Sequence, residues 1–277
     1  MAHTFYNRCM FPQDPISGAP SAASPLLAHL NPEQLAAVTL PAGHALILAG
    51  AGSGKTRVLT TRIAWLLATG HATPGGILAV TFTNKAAREM KLRIAELVGE
   101  KRARSLWMGT FHAIFSRILR NEAEAIGFQS NFTIFDTSDS HNLIKLIVKD
   151  MELDDKLYRP GAVHGQISRA KNNLITPAMY AGNAEILQYD RMAKRPKLFE
   201  IYQRYQQRLR AGNSMDFDDL LMRAVELLDT KPSVLRRLQE RFDYVLVDEY
   251  QDINHAQYRL VQFLGGKHNN ICVVGDD

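Results

Sequence analysis

Between the apolar run Ala45–Ala49 and the amphipathic stretch Thr56–Ala68, the chain carries Ala49-Gly50-Ala51-Gly52-Ser53-Gly54-Lys55-Thr56. Alternating glycines there break any regular element and let successive backbone N–H groups turn toward one anion. A helix restarting at that point adds the positive end of its dipole, about half a unit charge. The spacing is that of a Walker A loop with Ala49 in place of its first glycine. It predicts a phosphate cradle from residues 49–54, Lys55 reaching the β and γ phosphates of a nucleotide, and Thr56 holding Mg²⁺.

Strand, loop and helix then recur. Ile77–Phe82 is a short apolar run before a helical stretch Asn84–Val98, and Leu106–Thr110 precedes another from Phe111 to Ile126. After a long polar and mostly helical segment, with candidate helices over 139–151, 161–171 and 197–211, apolar runs return at Tyr244–Val247 and Ile271–Val274. Continuously apolar strands alternating with helices predict an α/β fold, a parallel sheet covered on both faces. The helical segment reads as an insertion, giving an α/β domain over residues 29–111 plus 215–277 and a helical subdomain over 112–214. Residues 1–28, rich in Pro, Ser and Ala without a period, read as a flexible leader. Structure is expected from Asn31-Pro32-Glu33-Gln34, where Asn31 fits an N-cap, Pro32 the first helical position and Gln34 the far side of a capping box.

Val245-Leu246-Val247-Asp248-Glu249 is a strand ending in two acids. Ligands of parallel sheets gather at the carboxyl ends of the strands, where the glycine-rich loop also lies. Asp248 is therefore a candidate Mg²⁺ ligand and Glu249 a candidate base for an attacking water.

Composition narrows the partners. The chain has 33 Lys and Arg against 28 Asp and Glu, net +5, compatible with a polyanion. Cys9 and Cys272 lie near opposite ends, without the spacing of a zinc site. No run approaches the roughly 18 apolar residues of a membrane span, so a cytoplasmic, nucleoid-associated protein with no membrane partner is expected.

LNPEQLAAV, AGAGSGKTR, AVTFTNKAAREM, GTFHA, MDFDDLL, VDEYQDIN and VVGDD occur in the order found in UvrD/Rep/PcrA-type superfamily 1 DNA helicases. The resemblance covers residues 30–277. It implies a RecA-like P-loop NTPase domain with a helical 1B insertion, an ATP-hydrolysing enzyme, and ATP-driven 3′-to-5′ movement on DNA with duplex unwinding. By the same resemblance Gln34 reads adenine, Arg57 lies against the base, and Gln251 sits near the γ-phosphate and links nucleotide state to DNA grip. Thr81, Phe82, Thr83, Asn84 and Lys85 would touch single-stranded DNA, as would Thr110, Phe111 and His112. Phe82 can stack on any base, while Thr, Asn and His donate to phosphates.

Arg191, Lys194, Arg195, Lys197, Arg204, Arg208 and Arg210 crowd the insertion and read either as a solvated helix face or as a contact to a duplex junction. The family pattern continues past VVGDD into a second RecA-like domain, which would supply further arginines and aromatics. The chain alone is therefore expected to bind nucleotide weakly, hydrolyse it poorly and unwind nothing. The alternative is a free-standing nucleotide-gated DNA-binding module without motor activity.

Overall fold

The computed structural model describes residues 25–50 and 52–276. Most of the expected leader, and Ala51 of the loop, lie outside the described residues. Residues 25–29 form a turn, and Leu27 is buried, with Leu26 and Leu30 packed against the same core.

In chain order the first elements are α1 (Pro32–Val38), β1 (Ala45–Leu48), α2 (Lys55–Ala68), β2 (Ile77–Thr81), α3 (Asn84–Val98), α4 (Glu100–Arg104), β3 (Trp107–Thr110) and α5 (Phe111–Asn121). Next come β4 (Thr133–Phe135), α6 (Thr137–Asp150), α7 (Pro160–Asn172), α8 (Pro177–Gly182), α9 (Ala184–Met192), α10 (Leu198–Ala211), β5 (Ser214–Asp216) and α11 (Phe217–Thr230). They are followed by α12 (Pro232–Arg241), β6 (Tyr244–Val247), α13 (His255–Gly265) and β7 (Ile271–Gly275). Two compact units result: residues up to Ile114 with Pro232–Ile253 and the chain from Val261, and Phe115–Lys231 with Asn254–Leu260.

The first unit is α/β. Its sheet has the order β1-β7-β6-β2-β3, and every neighbouring pair is parallel. Every residue of β2 and of β6 is buried, as a strand covered on both faces requires. Their register pairs Val80 with Val247, and β6 pairs Val247 with Val273 of β7. Helix α2 buries Val58 through Leu67 without interruption, so it is enclosed on all sides and is not the one-faced amphipathic helix expected over Thr56–Ala68; even Thr60, Thr61 and Arg62 are buried. The Asn31 capping box forms as expected: the Asn31 side chain accepts from Gln34 N at 2.7 Å, and Gln34 Oε1 accepts from Asn31 N at 3.3 Å.

The second unit packs α6, α7, α8 and α10 around Ile144, Val163, Ile167, Tyr202 and Tyr205. It also contains a two-stranded parallel ladder, β4 with β5, absent from the sequence reading because each strand has three residues and no sustained apolar run. Residues 215–231 group with this unit, whereas the sequence reading put them with the sheet domain. The physical reason is a buried charge cluster. Lys171 Nζ lies 2.7 Å from Asp216 Oδ2 and 3.0 Å from Asp219 Oδ1, and Tyr205 donates to Asp216 Oδ2 at 2.9 Å. Burial pushes the Lys171 ammonium down, but the two facing carboxylates more than offset it and hold it above its ordinary value. Asp216 is held low, its burial outweighed by Lys171, while burial and the Asp216 charge push Asp219 up.

The expected helix 111–126 stops at Asn121; a 3₁₀ turn over Ala123–Ile126 follows, closed by Gly127 at φ +76°. The basic span of the insertion is partly used within its own unit. Arg208 pairs with Asp150, Lys197 with Glu200 at 2.6 Å, and the Arg210 guanidinium lies 5.9 Å from the Phe128 ring centre.

Candidate nucleotide-binding site

The parallel arrangement aligns the carboxyl ends of β1, β7, β6, β2 and β3 along one edge, so the segments leaving them converge. The loop after β1 carries Gly52 at φ +78° and Gly54 at φ +93°, the left-handed region that side chains resist. Gly54 has a second reason to be glycine: a Cβ there would approach Gln34 Nε2 to 3.0 Å. Gln34 donates from that nitrogen to Ser53 O at 3.1 Å, which ties α1 to the loop. Lys55 and Thr56 open α2, both half-buried, and Arg57 beside them is exposed.

Lys55 Nζ donates to Ala49 O at 3.1 Å and Gly50 O at 3.5 Å, and it contacts the Asp276 carboxylate. Asp276 lies just past β7, in the VVGDD run, where no role is expected from the sequence. The available signal was a second strand-end acid, whose nearness to Lys55 depends on β7 pairing with β1.

Asp248, 3% exposed, directly follows β6. Its backbone N–H donates to Val80 O at 2.9 Å, and its Oδ2 accepts from Thr81 Oγ1 at 3.3 Å. Burial first, and the neighbouring Glu249 charge second, raise its carboxyl above the ordinary range. Asp248 Oδ1 and Ser53 Oγ are buried atoms without a hydrogen-bond partner among the described residues. The carboxylate oxygen is an orphaned acceptor that suits a hydrated cation, and the Ser53 hydroxyl an orphaned donor that suits a phosphate oxygen.

Glu249 has φ +52° and ψ +48°, a left-handed conformation that costs a non-glycine residue about 1–2 kcal/mol. It turns the chain sharply after the strand, and Gln251 secures the turn. Gln251 Nε2 donates to Glu249 Oε2 at 2.7 Å and lies 3.5 Å from Asp276 Oδ2, while Gln251 Oε1 accepts from Asp276 N at 3.1 Å. A Cβ on Gly275 would come within 2.9 Å of that Oε1, so the strand end is shaped around the Gln251 amide. Lys55, Asp276, Gln251 and Glu249 thus form one connected chain of polar contacts, with Asp248 adjoining Glu249.

The residues expected to touch DNA divide by exposure. Phe82 is 45% exposed, and Thr83, Asn84 and Lys85 are also exposed, with Thr83 Oγ1 accepting from Ala86 N to cap α3. Thr81, Thr110 and Phe111 are buried, and His112 is half-buried. The Thr81 hydroxyl is committed to Asp248, and Thr110 Oγ1 accepts from Ala113 N at the start of α5.

In the helical unit, ligand atoms of His164, Asp216 and Asp218 lie within 4.8 Å of one another. The Lys171 ammonium already supplies the positive charge at Asp216, so this cluster is an ion-pair core. Among the described residues, no helix is long and apolar enough to cross a membrane.

The family profile of the UvrD/REP helicase N-terminal domain matches residues 30–277. An ATP-dependent DNA helicase PcrA of Leuconostoc citreum is 48% identical over 247 residues, covering 89% of this chain and 32% of that protein. Proteins of the same description from Staphylococcus aureus and Bacillus subtilis are each 47% identical over 251 residues, covering 91% of the chain and 33% of theirs. The chain therefore spans about a third of the length of the curated relatives it matches.

Proposed function

From the premise that this chain belongs to the UvrD/REP helicase N-terminal domain family, we propose that it binds ATP with Mg²⁺ and single-stranded DNA and serves as the first motor domain of a 3′-to-5′ DNA helicase. The family's sheet domain is RecA-like, and we assign the nucleotide role to the unit built on the five-stranded sheet. The helical unit is assigned the contact with the junction of single- and double-stranded DNA.

The observation that carries this reading is the connected set Lys55, Asp276, Gln251 and Glu249 beside a glycine loop and the orphaned carboxylate oxygen of Asp248. The loop over residues 49–54 would receive the phosphates, with the Ala49 N–H itself committed to Gly275 O. Lys55 would exchange Asp276 for β and γ phosphate oxygens. Gln34 and Arg57 would hold the base. Thr56 and Asp248 are the residues suited to hold Mg²⁺, which when bound neutralises charge building on the phosphates. Glu249, oriented by its left-handed backbone and by Gln251, would take the proton of the attacking water. Gln251 contacts both Glu249 and Asp276, the partner of Lys55, which suits a sensor of phosphate occupancy.

For DNA, Phe82 offers an exposed face for stacking, with Thr83, Asn84 and Lys85 beside it for phosphates. Thr81, Thr110, Phe111 and His112 are assigned to the same DNA contact by their match to the family motifs, with Thr81 and Thr110 at paired ends of β2 and β3. Turnover at full rate is proposed to require a second RecA-like domain, because arginines stabilising the γ-phosphate are worth a factor of about 10³–10⁵. Such an enzyme would work in the cytoplasm, on the nucleoid.

The test is ATP hydrolysis with and without oligo-dT, by this chain and by one extended through a second RecA-like domain, each with a Lys55→Ala control. Turnover stimulated by DNA in the extended protein and abolished by Lys55→Ala is expected. An extended protein with no such stimulation, or one that displaces strands only from 5′-tailed duplexes, would overturn the assignment.

A further inference from the structure

Arg62 stands in the middle of α2, 1% exposed, among ten consecutive buried positions. A guanidinium in such a place is costly unless hydrogen-bonded. Its Nη1 donates to Val38 O and Leu40 O, both at 3.0 Å, with Ala37 O at 3.5 Å. Those carbonyls belong to the end of α1 and the turn after it, where a helix leaves acceptors unpaired and its dipole is negative. Arg62 is therefore the C-terminal cap of α1, supplied from another helix.

Helix α1 has seven residues, well below the roughly 12–15 at which an isolated helix becomes marginally stable, so it relies on the burial of Ala37 and Val38 in the core and on what holds its ends. At the N-terminal end Gln34 is held by Asn31 and donates to Ser53 O of the phosphate loop. At the C-terminal end the carbonyls rest on Arg62. The loop and α2 have an anchor besides α1, because the loop leaves β1, which is paired with β7 in the sheet.

We infer that Arg62 is a positioning residue for base selection: by pinning the end of α1 to α2, it keeps the Gln34 amide at the rim of the phosphate loop, where it can discriminate adenine from other bases. The inference rests on the reading of residues 49–57 and Gln34 as the nucleotide site. It separates two properties that a structural residue would lose together. Loosening α1 should release the base contact and leave the phosphate contacts in place.

The experiment measures Kd for Mg-ATP, Mg-GTP and Mg-tripolyphosphate with the full chain and with Arg62→Met, Arg62→Lys and Gln34→Ala. A two-point amide contact to adenine is worth about 10- to 100-fold in discrimination, so Arg62→Met is expected to lower the ATP-over-GTP preference by about tenfold. Tripolyphosphate affinity should stay unchanged, and Arg62→Lys, which keeps a donor at the carbonyls, should recover part of the preference. Hydrogen exchange should quicken at Gln34 and Leu35 in both Arg62 variants and not in the first turn of α2. An unchanged ATP-over-GTP ratio in both Arg62 variants, or parallel loss of ATP and tripolyphosphate binding, would overturn the inference alone. An unchanged ratio in Gln34→Ala would overturn the reading of Gln34 beneath it.

Discussion

Lys55, the first residue of α2, is in contact through its ammonium with the carboxylate of Asp276, 221 residues later in the chain. The contact exists because β1 and β7 are adjacent and parallel, bringing the loop after one strand to the acid after the other. In the proposed site Asp276 holds the lysine where phosphate oxygens would take over, so a carboxylate and a nucleotide compete for one cation.

Asp276→Asn should therefore tighten Mg-ATP binding. The Asp276 side chain is 48% exposed, so solvent screens the pair. An exposed ion pair is worth at most about 1 kcal/mol, which limits the gain to about fivefold. Titration with a fluorescent ATP analogue should show this gain at low salt and a smaller one at high salt. Weaker binding in the variant would mean that Asp276 serves the site chiefly by holding Gln251.

Asp248 resists ionisation in the folded chain. Its folded carboxyl is raised above the unfolded value by burial and by Glu249. Between those two values the native protein holds a proton that the unfolded chain has released, so stability falls as pH rises through that window. Mg²⁺ favours the ionised carboxylate and should offset that loss. Asp248→Asn should flatten the pH dependence and stabilise the ligand-free chain by about 1 kcal/mol, or about 2–4 °C in Tm. The same variant should lose the stabilisation that Mg-ATP confers. Calorimetric melts across pH, with and without Mg-ATP, check both effects.

Phe82→Ala should weaken oligo-dT binding by about 10- to 100-fold, the worth of one base stacked on an aromatic ring. Phe82 is 45% exposed and lies outside both apolar clusters of the described residues, so ATP binding and the melting temperature should change little. Lys85→Ala, beside it on α3, should lower the slope of log affinity against log salt by about one. Fluorescence anisotropy over a salt series separates the two.

Lys171→Met should be the most damaging of these substitutions to the helical unit. It would leave Asp216 and Asp219 facing each other without a cation, and removing one partner of a buried pair costs about 3–5 kcal/mol. Adding Asp216→Asn should restore part of that loss, since the residues share one network. Hydrogen exchange in α7 and α11 is the local measurement; exchange as slow as in the unaltered chain would contradict the prediction.

Much of the fold could be read locally. Apolar runs at 77–81 and 244–247 become buried parallel strands because a strand covered on both faces must be apolar throughout. The Asn31 and Gln34 box needed only its spacing. The short ladder of β4 and β5, and the grouping of 215–231 with the helical unit, were not legible, since each depends on partners far along the chain. At the site, residues 49–57 and the acids 248–249 were legible because their chemistry lies in consecutive residues. Asp276 and Arg62 were not, for their partners are 221 and more than 20 residues away.

The sequence by itself determined a glycine-rich loop between strand and helix, a parallel sheet and a pair of strand-end acids, because backbone freedom, dipole and apolar period are properties of neighbouring residues. Only the tertiary structure decided which of those groups meet. It committed the Thr81 hydroxyl to Asp248, left Asp248 Oδ1 without a partner, and set Asp276 against Lys55. Strand order decides which strand ends become neighbours, and a buried polar group must find whatever partner that order brings to it.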